Sequence, residues 1–334
     1  MKAITLKEFG NTENFKLENY PVPKPKNDEV LIKLKATAFN PIDYQMRLGR
    51  RESHMMNSPI LGRELAGIVE EIGENVKNFK LGDEIYAASG SGGSNGSYAQ
   101  YMTLTEKRIA LKPKNITFEE AAAIPSAGLT AWQTFSRLHI KKKDSIFITG
   151  GSGAVGSFLI RLLKPKHLDQ IITIAGSLES IDAIKAIGLK ESQIIDYRNP
   201  DLESLILNAN HNHYFDFTVD IVGDKSAEIA ANMLKVNGVY ADITFLGTQK
   251  TRETLFDKGA SVLNISNYAF TLDNNLNWYG NTLRKITGLI EAEKLAAPSI
   301  NVLGNFSLKT VQQAHNIMEN NLTRGKKLVM TIDY

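Results

Sequence analysis

The sequence predicts an α/β protein, a doubly wound parallel sheet joined to a β-rich domain. Three observations carry this expectation. Period-2 strand patterning dominates the N-terminal third. Short strands alternate with amphipathic helices from Thr117 onward, and a glycine-rich turn joins one strand to one helix inside that alternation.

Taken in order, Met1-Lys2-Ala3-Ile4-Thr5-Leu6 reads as a strand and lacks the long apolar segment of a signal peptide. Glu29 to Ala38 alternates apolar and polar residues as a half-buried strand does. Leu65 to Ile72 gives another strand, stopped by Gly73-Glu74-Asn75. Phe79 to Ala88 turns at Leu81-Gly82-Asp83 and runs on as a strand. The stretch Ser89 to Ser97 is rich in glycine and serine and reads as a mobile loop, since no helix follows to make it a phosphate nest. Thr117 and Glu120 fit a capping box that opens a helix through Ala123. Strands then fall at Ser145 to Thr149, Ile171 to Ala175, Phe215 to Val222, Gly238 to Phe245 and Val262 to Ile265, with helices at Ala154 to Leu163 and Ile181 to Ile187. Such alternation implies parallel βαβ units. Thr310 to Glu319 is helical, and Lys327 to Ile332 is a last strand.

Composition narrows the function. A chain of 334 residues is long enough for two domains, and 43% hydrophobic with 22% charged residues is ordinary for a globular protein. A net charge of +3 is too weak to call for nucleic acid or an anionic membrane, so neither is expected as a partner. No apolar run approaches the ~20 residues of a membrane span, and a cytoplasmic location is the default. The absence of cysteine removes disulfides, thiol nucleophiles and thiolate metal sites. His211 and His213 lie in the polar stretch Asn208 to His213, which reads as a solvated loop rather than a metal site.

Residues Ile146 to Gly156 read IFITGGSGAVG, and Gly151, Gly153 and Gly156 fit the spacing G-x-G-x-x-G between a strand and a helix. The first glycine permits a tight turn, the second lets a pyrophosphate approach the backbone, and the third permits close helix–strand packing. Ser152, Ala154 and Val155 complete a phosphate cradle at a helix N-terminus. The next strand ends Ile174-Ala175-Gly176-Ser177 without the carboxylate that holds an NAD ribose. Ser177 can donate to a 2′-phosphate, so NADPH is expected. Glu179 swinging in would favour NADH instead.

The chain resembles the zinc-free medium-chain dehydrogenases of the quinone oxidoreductase and 2-alkenal reductase type. The matching stretches are Asn40-Pro41-Ile42-Asp43-Tyr44 through Gly49, Leu61 to Gly67 with Val69, Phe79 to Glu84, Gly96 to Ala99, Glu120 to Ala122, Gly128 to Ala131 and the glycine turn. In zinc-containing members a cysteine stands at Asn40 and a histidine at Arg63, so the resemblance implies no catalytic metal. It implies a GroES-like catalytic domain from residues 1–122, a Rossmann NADP-binding domain over 123–272, and a return to the catalytic domain over 273–334. An active site in the interdomain cleft and a homodimer follow from it. It also implies cofactor contacts at Thr130, Tyr197 and Arg324. Relatives often have a lysine where this chain has Ser180, which weakens the NADPH expectation.

Gly223, Gly247 and Ser266 to Phe270 follow strands and are expected to line the nicotinamide pocket, although the two glycines fit ordinary turns equally well. A quinone or an enone carries its own electron sink and needs no Lewis acid. Asn40 and Tyr44 are the candidate hydrogen-bond donors to the oxygen that gains charge. Arg63 is either part of the site or structural, paired with Glu64 or Asp43. Tyr86 and Tyr98 read as packing residues. The resemblance implies an NADPH-dependent reductase of a small electrophile. An NADPH-binding regulatory or nucleic-acid-binding protein and a zinc-free alcohol dehydrogenase are the alternatives.

Overall fold

The first strands pair antiparallel and bury most of their residues in continuous runs, Glu29–Ala38 included, rather than on one alternating face. The computed structural model describes every residue except Ser91, Asp169 and Tyr334, and its contacts separate two units, Met1–Leu129 with Tyr268–Tyr334, and Thr130–Asn267. In the first unit β1 (Lys2–Leu6) pairs with β2 (Phe15–Asn19). β3 (Glu29–Ala38) has the predicted bounds and precedes a short helix, α1 (Pro41–Arg47). Then come β4 (Glu64–Ile72), β5 (Glu84–Ala88), β6 (Tyr101–Thr105) and β7 (Ile109–Leu111). The predicted capping box forms: Thr117 Oγ1 accepts from Glu120 N at 3.2 Å, and Thr117 N donates to Glu120 Oε2 at 2.9 Å. It opens α2 (Phe118–Ala122), and α3 (Pro125–Leu138) carries the chain across the division between units.

The second unit alternates β8 (Ser145–Ile148), α4 (Ala154–Leu163), β9 (Gln170–Ala175), α5 (Leu178–Ala186), β10 (Ile194–Asp196) and α6 (Leu202–Ala209). It continues with β11 (Phe215–Asp220), α7 (Asp224–Met233), β12 (Leu234–Asp242), α8 (Gln249–Asp257) and β13 (Ser261–Asn264). Among the described residues these strands form one parallel sheet in the order β10-β9-β8-β11-β12-β13. This is the doubly wound order, reversing between β8 and β11. Its core packs Phe147 and Phe215 from the sheet against Ile206, Ala230 and Leu255 from helices. The first unit resumes with α9 (Ala269–Leu272), α10 (Asn277–Glu291), β14 (Ile300–Asn305), α11 (Leu308–Glu319) and β15 (Lys327–Thr331). There β14-β15-β3-β4-β5-β7 form the second sheet, with β6 paired to β3.

One loop expectation needs correcting. Within Ser89 to Ser97, Ser91 lies outside the described residues, but Asn95, Gly96 and Ser97 are buried. Gly96 N donates to Ile60 O at 3.0 Å and Ser97 N to Gly62 O at 3.1 Å. A Cβ on Gly96 would stand 2.2 Å from Leu61 O, so glycine serves close backbone packing there rather than mobility. Tyr86 and Tyr98 are buried as expected, their hydroxyls meeting Leu283 O at 2.8 Å and His315 Nε2 at 3.1 Å.

Candidate active site

Because all strands of the second unit run parallel, the residues after β8, β9, β10, β11 and β12 share the carboxyl edge of one sheet. That edge collects most of the cofactor candidates. Gly153 is the N-cap of α4, so the N–H groups of Ala154, Val155 and Gly156 begin the helix without helical partners. Ser152 to Val155 remain half-buried, while Gly151 and Gly156 are buried. The structure redistributes the glycine roles. The left-handed turn residue is Gly150, with φ of 66°, and not Gly151. A Cβ at Gly151 would stand 2.2 Å from Thr173 Oγ1 on β9, so that glycine admits the neighbouring strand. At Gly156 it would stand 2.3 Å from Gly150 O, which is the expected helix–strand contact. At Gly153 it would meet only Gly150 O, at 3.3 Å.

The ends of the flanking strands add polar groups. Ser177 caps α5, its Oγ accepting from Ser180 N at 3.2 Å. Tyr197 is exposed, and its ring lies so close to Gly176 that any Cβ there would stand 2.1 Å from its Cζ. Ser177 and Tyr197 are thus brought side by side. The neighbouring Arg198 is held by Asp196, Nη2 to Oδ2 at 2.7 Å. At the switch point, buried Asp220 accepts from Thr149 Oγ1 at 2.8 Å, Val222 N at 3.2 Å and Gly223 N at 3.1 Å. Neither Thr149 nor Asp220 stands out in the sequence. Together they fix the loop that follows β11. Gly223 is left-handed, with φ of 91°, whereas a Cβ on Gly247 would make only ordinary contact with Thr251. Gly247 borders a cavity of about 340 Å³ with Asp242, Phe245 and Asn264. Thr130 Oγ1 accepts from Asn267 Nδ2 at 3.0 Å. Arg324 belongs to the other unit, exposed in a turn with φ of 51°.

The first unit contributes a buried polar network around α1. Glu64 is fully buried. Its carboxylate accepts from Asn40 Nδ2 at 2.8 Å and Ser126 N at 2.7 Å, and pairs with Lys327 Nζ at 2.6 Å. Lys327 Nζ also donates to Asn40 Oδ1. The partner of Glu64 is therefore Lys327, not Arg63, because β15 brings the lysine to a site that sequence distance conceals. Among the described residues Asn40 Nδ2 donates to Glu64 alone, which uses one of its two hydrogens. Tyr44 is half-buried on the same helix, with Arg50 stacked 5.8 Å from its ring centre.

Asp43 is buried at the start of α1, where Oδ2 accepts the Asn40 N–H at 2.8 Å. Burial pushes its carboxyl up to about 7, and the Asn40 N–H and Arg63 counteract this only in part. Below the ordinary carboxylate range, both folded and unfolded chains hold this proton. Between there and about pH 7 only the folded chain does, so this group's contribution to stability falls as pH rises through that window. Asp43→Asn keeps the acceptor and loses the titration. Urea midpoints should therefore show its stability relative to wild type higher at pH ~8 than at pH ~5. An unchanged difference would show that Asp43 does not titrate there.

Fold and site together define a two-unit α/β oxidoreductase with a dinucleotide-type glycine turn. Two family descriptions match the sequence, "Alcohol dehydrogenase GroES-like domain" over residues 26–114 and "Zinc-binding dehydrogenase" over 189–329. The 2-methylene-furan-3-one reductase of Solanum lycopersicum is 32% identical over 99% of this chain and 79% of its own length. The chloroplastic NADPH-dependent alkenal/one oxidoreductase of Arabidopsis thaliana is 31% identical over 99% and 80%. Among solved structures, the quinone oxidoreductase from Coxiella burnetii superposes with a TM-score of 0.82 at 28% identity, covering 100% of this chain and 99% of that one. The chain belongs to the medium-chain dehydrogenase/reductase superfamily, with quinone oxidoreductases and alkenal/one reductases among its relatives.

The zinc in the second family description does not suit these residues. At Asn40 the amide oxygen takes the Lys327 ammonium, and at Arg63 a guanidinium has no lone pair to offer. Among the described residues no group of three or more His, Cys, Asp or Glu is placed to hold a metal. No helix of the described residues is long and apolar enough to cross a membrane.

Proposed function

We propose that this protein is an NADPH-dependent, zinc-independent oxidoreductase acting on a quinone or an α,β-unsaturated carbonyl. The observation that carries the reading is the glycine turn at the head of α4, inside a chain similar over nearly its whole length to reductases of such compounds. NADPH would supply hydride to the electrophilic carbon. Ala154, Val155 and Gly156 would hold its pyrophosphate with their N–H groups, and Ser177 and Tyr197 its 2′-phosphate. Thr130, Gly223, Gly247 and Arg324 belong to the same proposed set.

The protein's own part is to bind, orient and stabilise charge. As the substrate carbon is reduced, an electron pair moves to its oxygen. The second Asn40 Nδ2 hydrogen and the Tyr44 hydroxyl are the proposed donors to that oxygen, and solvent or Tyr44 supplies the proton. A homodimer in the cytoplasm belongs to this reading, beside relatives named chloroplastic and mitochondrial. The test is cofactor oxidation with a quinone and an enal in parallel, with NADH and EDTA as controls. Chelator-resistant turnover with NADPH is expected. NADPH binding without turnover of either acceptor would sink the reading in favour of a binding protein.

Cofactor choice has its own test at Ser177. Aspartate caps a helix as well as serine does, so Ser177→Asp leaves α5 intact. Its carboxylate repels a 2′-phosphate and accepts from a ribose hydroxyl. The NADPH-to-NADH ratio of kcat/KM should fall about tenfold or more, a difference of about 1.4 kcal/mol. A ratio that does not move would place the 2′-phosphate elsewhere.

A further inference from the structure

Two guanidinium groups meet beside the glycine-rich loop of the first unit, at the flank of α1. Arg108 is 2% exposed and held by neutral groups: Nη1 donates to Ser89 O at 3.2 Å, Nη2 to Thr271 Oγ1 at 2.6 Å, and the Tyr279 ring lies 4.2 Å away. Among the described residues it makes no ion pair. Arg63 is half-buried, with Nη1 3.7 Å from Met46 Sδ on α1. The two cations border one point. A Cβ built on Gly90 would stand 3.3 Å from Arg108 Nη1 and 3.6 Å from Arg63 Nη2. Ser89 Oγ, in the same loop, is buried with no hydrogen-bond partner among the described residues.

Like charges this close in a poorly hydrated setting repel, and burying either one costs solvation. Burial lowers the pKa of both guanidiniums, and their mutual repulsion lowers that of Arg63 further. The nearby acid is Asp43, whose own burial leaves it only partly ionised near neutral pH. Positive charge is therefore in excess here, beside the helix that Asn40 caps and that carries Tyr44. Arg108 is locked in place by its neutral partners, and Arg63 is the one with exposed surface.

We propose that Arg63, backed by Arg108, receives an anionic oxygen of the substrate, so that the preferred electrophile is a quinone or enone carrying an ionised hydroxyl or a carboxylate. This rests on the reductase reading above and names the substrate class for that site. A charge-assisted hydrogen bond from a partly buried guanidinium discriminates an anion from its neutral counterpart about tenfold or more.

The experiment compares an ionised hydroxynaphthoquinone with a neutral methylnaphthoquinone in wild type, Arg63→Gln and Arg63→Lys. Arg63→Gln should lower kcat/KM for the ionised acceptor about tenfold, chiefly through KM, and change the neutral one by less than about threefold. Arg63→Lys, which keeps the charge, should retain most of the preference. Equal losses on both acceptors overturn the proposal. Should Arg63→Gln fail to fold, inhibition of the wild type by benzoate and by methyl benzoate decides. Benzoate is expected to bind about tenfold tighter, with an advantage that fades as salt is added, and equal inhibition overturns the proposal. If neither quinone is turned over, the reductase reading fails by itself. Calorimetric titration of benzoate into the NADPH-loaded wild type and Arg63→Lys then reads the anion site directly, and no binding to either overturns it.

Discussion

Lys327→Met should lower the unfolding free energy by about 3–5 kcal/mol, among the largest losses expected from any single change in this chain. Glu64 is 0% exposed and Lys327 7% exposed, so the pair is cut off from water. With the ammonium gone, Glu64 keeps two neutral donors among the described residues, Asn40 Nδ2 and Ser126 N, for a full charge. Removing one partner of a buried pair costs more than the pair contributes, because the remaining charge still lacks solvent. The double variant Glu64→Gln/Lys327→Met should accordingly recover most of the loss, to within about 2 kcal/mol of wild type. Urea unfolding followed by circular dichroism measures both. A single variant within about 1 kcal/mol of wild type would mean that water reaches Glu64. Activity should fall as well, since Asn40 Oδ1 loses the donor that fixes its amide.

That network marks the boundary of what could be read from the chain. The parallel unit was legible because its signals are local: a strand, a glycine turn and a helix follow one another from Ser145 to Leu163, and the helix occupies its predicted range. Other helices were masked by their composition. α10 buries Tyr279, Leu283, Ile286 and Ile290 along one face, but its Asn and Gly residues weaken the local helix signal. Gly280 is there because α10 packs so tightly that a Cβ would stand 2.7 Å from Lys107 O. Ser177 and Tyr197 were placed by resemblance and strand order, and the structure sets them side by side on either side of Gly176. Lys327 and Arg108 gave no local signal at all. Each acquires its role from segments far away along the chain, Lys327 from Asn40 and Glu64, and Arg108 from Ser89, Thr271 and Tyr279.

Gly153→Ala should weaken NADPH binding by about 30-fold while leaving the fold in place. Gly153 has φ of −69°, which any residue adopts, and an added methyl meets only Gly150 O at 3.3 Å. Alanine is a poorer N-cap than glycine, but the difference is below about 1 kcal/mol. The methyl instead projects where a pyrophosphate must approach the N–H groups that open α4. Loss of a charge-assisted hydrogen bond there costs about 2 kcal/mol, which is the 30-fold expected. Gly156→Ala provides the contrast. Its Cβ would stand 2.3 Å from Gly150 O and 2.7 Å from Gly151 Cα, so the helix must leave the strand and stability falls before binding is tested. Titration of NADPH by fluorescence, beside thermal unfolding of both variants, separates the two effects. If Gly153→Ala binds NADPH as wild type does, the phosphates do not lie on this turn and the cofactor assignment fails with them. If it unfolds like Gly156→Ala, the glycine serves packing, and the head of α4 loses its claim to be a phosphate cradle.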